Sequence, residues 1–486
     1  MAIWNSNYRE NRGPRFQVLC KEQLDEIHAA TLEVMERTGS RIFDDGALAL
    51  LKKAGAHISD GNRVRISPGL VEKALGTVPH RVVLCDREGK RVMPLEGHKT
   101  FFGTGSDCLY ALDPRTGQRR QAVLQDIVDG MRLCEAMPNI DYVMCMFMPW
   151  DVPGPLTDHY QMETMLLYTH KPVVFVTVDL ERCVDLVEMA EAVAGGADEL
   201  RLRPQIACYN NVAAPLRHNH ESVQKLLYLA GKGLPQLYVP GSLRGVTAPI
   251  TIAGALVVSN ACQLTGLVLT QLKQEGAPFI RGFGGSTMDM RTMVNLYAEP
   301  ERSRANTDLA HYYDLPVFGI AGCADSKVLD EQAAIEAALT LLMDALSGTN
   351  LVHDVGYLEA GLMGSLESVV LCDEVIGWVK RHMAAVEVNP EALAVDLIDQ
   401  VGPDGTFLDT DHTMRHFRED WYPRFMDRHN YADWEARGKP SMIAKISDHV
   451  AGILSTPAEP VLSPDVAGQV RAVRQRAEAR LAETQA

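Results

Sequence analysis

Two groups of ionisable side chains, Asp325-Ser326-Lys327 and His353-Asp354, each follow a short apolar run, 316–320 and 351–352, with a stretch of helical composition between them. Charged groups just past the ends of buried parallel strands are where catalytic side chains gather in a barrel. Asp325 can hold a cationic group or a water, or it can cap the helix that follows, as can Ser326. Lys327 can form a Schiff base or an ion pair, or simply be solvated. His353 is either a ligand contact or a satisfied structural group. Glu359 contacts a substrate or opens a helix. The run Arg281-Gly282-Phe283-Gly284-Gly285-Ser286 would let a large cofactor approach the backbone. It has neither the lysine of a phosphate loop nor the spacing of a dinucleotide loop.

The elements that must position these groups are legible as periodicity. Leu24, Ile27, Ala30, Leu32 and Met35 recur at helical spacing over 21–37, and further helices are expected at 45–54 and 68–76 with a strand at 81–85. From residue 100 a different rhythm begins. Short β-prone runs at 101–102, 142–147, 173–178, 205–209, 236–239, 279–283, 317–320 and 350–352 alternate with helical stretches such as 181–194, 221–230, 250–274 and 331–346. Pro172, Pro204, Pro235, Pro278 and Pro316 stand at the openings of runs, where a strand tolerates proline. Eight such units predict an α/β protein, a (β/α)8 TIM barrel over 99–385, with an N-terminal α/β cap over 1–98 and a C-terminal, mostly helical extension over 386–486. The first strand can instead lie near 109–112, and an open doubly wound sheet fits eight units less well than a closed barrel. A helix is expected over 389–401, and a polar helix or tail over 462–486.

Composition excludes several classes. With 47 basic and 63 acidic residues the chain carries a formal charge of −16, which opposes a nucleic-acid partner. The opening residues are polar and basic, unlike a signal peptide, and no stretch of 18 uninterrupted apolar residues predicts a membrane span. Ten cysteines are scattered without a CxxC pair, as in a reducing cytoplasm. Cys323 and His353 form the nearest thiol–imidazole pair at strand ends without a third partner, so no zinc is expected.

An ordered set of segments resembles the trimethylamine methyltransferase family, which includes pyrrolysine-containing enzymes and relatives without pyrrolysine, among them glycine betaine methyltransferases. The set runs from Leu32-Glu33-Val34-Met35-Glu36-Arg37-Thr38-Gly39 through Asp113-Pro114-Arg115-Thr116-Gly117, Asp126 and Pro138-Asn139-Ile140 to Ala248-Pro249-Ile250-Thr251-Ile252-Ala253-Gly254. It continues through Asp325-Ser326-Lys327 and His353-Asp354-Val355-Gly356-Tyr357 to Phe407-Leu408, His412-Thr413, Phe417-Arg418 and Trp434. The resemblance implies a TIM barrel, a methylated-amine substrate, and methyl transfer to the cobalt of cobalamin carried by a separate corrinoid-binding protein. Members with pyrrolysine are held to capture a tertiary amine through that residue's imine. This sequence contains no pyrrolysine symbol, which favours a quaternary amine, whose leaving group is neutral and needs no proton. Trimethylamine turnover without pyrrolysine and a non-catalytic binder of methylated amines are the alternatives.

A quaternary ammonium cannot donate a strong hydrogen bond and must be held by aromatic faces and diffuse negative charge. Trp150, Tyr209, Phe283 and Tyr357 lie near expected strand ends, although each can equally be core. A substrate carboxylate, as in glycine betaine, would meet His353, Arg281, Asn210 or Asn211. On this reading Asp325 and His353 are the catalytic pair, Glu359 joins the substrate contacts, and Gly282, Gly284 and Gly285 form the rim for the corrin. A homo-oligomer is also implied by the resemblance.

Overall fold

A computed structural model describes residues 14–212, 216–299 and 304–485; the opening stretch weighed as a signal peptide lies mostly outside the described residues. The architecture is mixed α/β. Strands Val173–Val176, Ile206–Val212, Gln236–Pro240 and Ile280–Arg281 pair in parallel in that order. A second parallel set orders Phe318–Ile320, Leu351–His353 and Phe101–Phe102. Isolated parallel bridges Gly103–Tyr142, Val143–Val173 and Arg281–Val317 lie between the two sets. Both faces of these strands are covered, so Val173, Val174, Phe175, Ala207, Cys208, Leu237, Val239 and Ile280 are all buried. That explains their continuous apolar reading.

The expected run at 142–147 contributes bridges and no ladder. Its partnership with the first strand is carried partly by side chains. The Asp141 carboxylate accepts from Phe102 N at 2.9 Å, and the Thr104 hydroxyl accepts from Met144 N at 3.0 Å while donating to Met144 O at 2.9 Å. Met146 then turns the chain with φ of 63°. The alternative first strand, Tyr110–Leu112, belongs to a hairpin with Arg119–Gln121 outside the parallel sets.

The parallel strands have a floor and a rim. The hairpin Val82–Cys85/Arg91–Leu95 lies across their amino ends, with Cys85 N donating to Pro204 O and Arg87 N to His170 O. At the carboxyl ends, two small sheets grow from the connections. One joins Tyr357–Leu358, Met363–Gly364, Tyr110–Leu112 and Arg119–Gln121; the other joins Leu243–Arg244, Ser286–Asp289 and Val294–Leu296.

Helix Ile252–Lys273 is long and apolar enough to cross a membrane, yet most of it is buried within the protein. One side meets strand Gln236–Pro240, where a side chain at Gly266 would collide with the Tyr238 ring. The other meets helices Lys21–Glu33 and Pro68–Leu75. An apolar circumference is what a helix sandwiched this way requires. The N-terminal helices thereby share one apolar cluster with residues of 220–232, 252–273 and 304–312. Strand Ser40–Ile42 also pairs in parallel with Arg217–His218.

C-terminal helices Met442–Leu454 and Pro464–Gln485 return to the main core through Ile446, Val450, Val470 and Val473. Arg474 reaches Glu163 at helix Thr157–Tyr168, and Arg480 reaches Asp185 at helix Leu180–Ala194. The helix expected over 389–401 is broken into Pro390–Leu393 and Val395–Val401, because Ala394 sits at φ of 47°.

Candidate active site

Four parallel strands bring together four rings. Tyr209 comes from Ile206–Val212, Phe318 from Phe318–Ile320, His353 from Leu351–His353, and Phe283 follows Ile280–Arg281. The His353 imidazole stacks on Phe318 with centroids 4.0 Å apart and planes 24° apart, and Phe283 lies 5.9 Å from it, near-parallel at 23°. Tyr209 meets Phe318 edge-on at 5.6 Å and His353 at 6.2 Å. His353 Nδ1 donates to Gly319 O at 2.6 Å, which directs Nε2 toward Asp354 Oδ1, 3.5 Å away. That bond fixes the ring's orientation within the stack.

Beside the rings the surroundings are acidic. Asp354 adjoins the loop after the first strand so closely that a side chain at Gly105 would overlap its carboxylate and the Tyr357 ring. That loop supplies Asp107, which accepts from Gln161 Nε2 at 3.0 Å and lies 3.7 Å from the Cys145 thiol. Burial raises the Asp107 carboxyl above its ordinary value, against the lowering effect of those donors. A carboxylate penalised by burial gains most from a neighbouring cation. Asp107, Met146 and Asp354 all hold left-handed backbone (φ 64°, 63° and 70°). Such strain in non-glycine residues concentrates at functional sites.

Several expected site residues take other positions. Arg281 is 1% exposed and points into the helical layer, donating to Asn260 Oδ1 at 2.8 Å and Asn306 Oδ1 at 3.4 Å, with Tyr313 beneath it at 5.2 Å. Asn210 also faces outward, donating to Ser222 O at 2.9 Å. Strand side chains alternate, so Asn211, exposed at the strand end, shares the face of Tyr209. Tyr357 is buried, its hydroxyl donating to Met146 O at 2.9 Å, and burial holds it protonated far above the usual phenol range. Trp150 is 54% exposed, with Nε1 donating to Leu109 O; among the described residues no ring pairing joins it to the cluster.

Glu359 is clasped by Arg119 through two bonds of 2.7 and 3.0 Å. The Asp325 carboxylate accepts from Tyr297 N at 2.8 Å and Ala298 N at 3.3 Å, so it anchors that connection. Capping of helix Glu331–Ser347 falls to Asp330. Lys327 is exposed and donates to Asp325 O. The glycines have internal reasons. A side chain at Gly282 would strike the Tyr238–Val239 backbone, one at Gly284 would strike Asn306, and one at Gly285 would strike Ser242. The corrin rim assigned to them therefore has no support in the packing.

Of the expected set, then, Tyr209, Phe283 and His353 converge. Phe318 and Asp354 complete the group; Asn211 shares the strand face of Tyr209, and Asp107 lies in the loop that adjoins Asp354. Phe318 was hidden inside an apolar run, whereas Asp107, in the polar loop Gly103-Thr104-Gly105-Ser106-Asp107 that follows a strand, carried a readable signal.

The family described as trimethylamine methyltransferase (MTTB) matches residues 2–482. The chain is similar to trimethylamine methyltransferase MttB of Desulfitobacterium hafniense, at 32% identity over 462 residues, covering 94% of this chain and 93% of that protein. It is similar at 30% over 470 residues to the MttB of Methanosarcina thermophila (95% and 97% covered). A glycine betaine methyltransferase of Desulfitobacterium hafniense is 28% identical over 467 residues (94% and 96%). The crystal structure of the Methanosarcina barkeri monomethylamine methyltransferase aligns over 91% of this chain and 88% of its own, with a TM-score of 0.49 and 12% identity.

Proposed function

Because the chain belongs to the trimethylamine methyltransferase family, we propose that it moves a methyl group from a quaternary amine, glycine betaine foremost, to the reduced cobalt of a corrinoid held by a separate protein. The two parallel strand sets and the three bridges between them are read as a closed eight-stranded barrel in which 142–143 is the second strand. The ring cluster then lies at its carboxyl mouth.

The observation that carries the reading is the meeting of Tyr209, Phe283, Phe318 and His353 beside Asp354, with Asp107 in the loop that adjoins Asp354. A trimethylammonium group finds ring faces there, each worth about 0.5–2 kcal/mol when desolvated, and carboxylates whose ionised form it would stabilise. The reduced corrinoid is the acceptor substrate and supplies the nucleophile. The protein's part is to hold the ammonium so that one methyl faces outward and to exclude water from the others, an advantage of positioning. The departing nitrogen takes the electron pair of the broken C–N bond and leaves as a neutral tertiary amine, so no side chain must donate a proton. Asn211, on the face of Tyr209, takes over the carboxylate contact first sought in Asn210 and Arg281.

Product analysis tests the reading. Full-length protein with glycine betaine and cob(I)alamin should yield N,N-dimethylglycine and methylated corrinoid in equal amounts. Saturable betaine binding without either product would leave a binder and remove the enzyme.

A further inference from the structure

In the C-terminal part of the chain, Glu391, His412 and His416 place one ligand atom each within 4.8 Å of one another. His412 and His416 are four residues apart on helix Asp411–His416, capped by Thr410, so their rings share a face, with centroids 4.4 Å apart. Glu391 opens the short helix Pro390–Leu393, capped by Asn389. His416 Nδ1 is 2.9 Å from Glu419 Oε1 and its Nε2 is 3.4 Å from Glu391 Oε1. A carboxylate on one imidazole nitrogen that leaves the other for a metal is the usual outer partnership of a histidine ligand. Arg415 Nη1, 2.8 Å from Glu391 Oε1, supplies positive charge at the same carboxylate. A groove of about 830 Å³ runs past Glu391, His412 and Arg415.

We propose that Glu391, His412 and His416 form a zinc site, with water as fourth ligand, that clamps helix Pro390–Leu393 to helix Asp411–His416. Two imidazoles and a carboxylate match the donor preference of this borderline ion. Ligands about 2.0–2.2 Å from zinc lie roughly 3.3–3.6 Å apart in a tetrahedron. The present separations therefore close by side-chain rotation on two short surface helices. Arg415 swings away into the groove as the ion replaces its charge.

The test is calorimetric titration of the chelator-treated full chain with Zn²⁺ alone. One saturable site is expected in the wild type and is absent from H412A/H416A and from E391Q; zinc on the cysteines would persist in both variants. E419Q should bind about 10- to 100-fold more weakly, the usual cost of an outer partner. R415A should bind more tightly, because Glu391 is released from its ion pair, and a gain of affinity cannot come from misfolding. Unchanged stoichiometry and affinity in H412A/H416A, or weaker binding in R415A, overturns the proposal.

Discussion

Replacing Phe283 by leucine probes the ring cluster most informatively. The substitution keeps an apolar side chain but removes a π-face near-parallel to His353 at 5.9 Å and tilted against Phe318 at 6.3 Å. Losing one cation–π contact of about 0.5–2 kcal/mol corresponds to a dissociation constant raised about 2- to 30-fold. Ring–ring contacts are lost as well, worth about 0.5–1.5 kcal/mol each in stability, so binding must be separated from packing. The carbon isostere of glycine betaine, 3,3-dimethylbutyrate, does this, because it has the same shape and carboxylate with no charge on the branched carbon. Calorimetry of wild type and F283L with both ligands should show the loss for betaine and little change for the isostere. Equal losses would mean that Phe283 shapes the pocket without recognising charge, and the argument from ring faces would fail.

Further outcomes follow from the same geometry. D354N should weaken betaine by more than tenfold without weakening the carbon isostere, whose branched carbon carries no charge, measured by the same titration. N211A should weaken betaine more than tetramethylammonium, whereas N210A should lower the melting temperature and leave that ratio unchanged, since Asn210 serves Ser222. H353A, read on the same ligand pair, should weaken both alike, because the imidazole belongs to the ring cluster that holds the ammonium group. R281A should destabilise the fold by about 2–4 kcal/mol in denaturant unfolding, because it strands the amides of Asn260 and Asn306 in the buried layer. Burial alone lowers His159, but Asp158 and Asp185 override it and bring the imidazole up to about 9. A raised imidazole contributes its full stability below its unfolded value of about 6.5 and loses it as pH climbs toward 9. Wild type should therefore lose stability across that window, and H159Q should lose less.

Most of the frame was readable because parallel strands buried on both faces appear as uninterrupted apolar runs, and because helices such as 331–347 show their composition, although the cap expected at Asp325 or Ser326 lies at Asp330. What could not be read was direction. Asn210 and Asn211 are neighbours of one type, and only the register against 236–240 decides that Asn210 turns outward. Arg281 follows the same rule beside Tyr238, its partner in the ladder. The partner of Glu359 is Arg119, 240 positions away, and the carboxylate of Asp325 is claimed by backbone amides 27 and 28 positions earlier. No local pattern encodes such pairings. The run 142–147 pairs through isolated bridges where a ladder was expected, since side chains of Asp141 and Thr104 carry part of its pairing.

The decisive measurement compares initial rates of methyl transfer to cob(I)alamin from glycine betaine and from trimethylamine, each followed from pH 6 to pH 10 under anaerobic conditions. A permanently cationic donor needs no acid, so betaine should turn over with no loss of rate attributable to deprotonation of a catalytic acid, while trimethylamine should stay at background throughout. Trimethylamine turning over as fast as betaine, or betaine failing at every pH, would contradict the account.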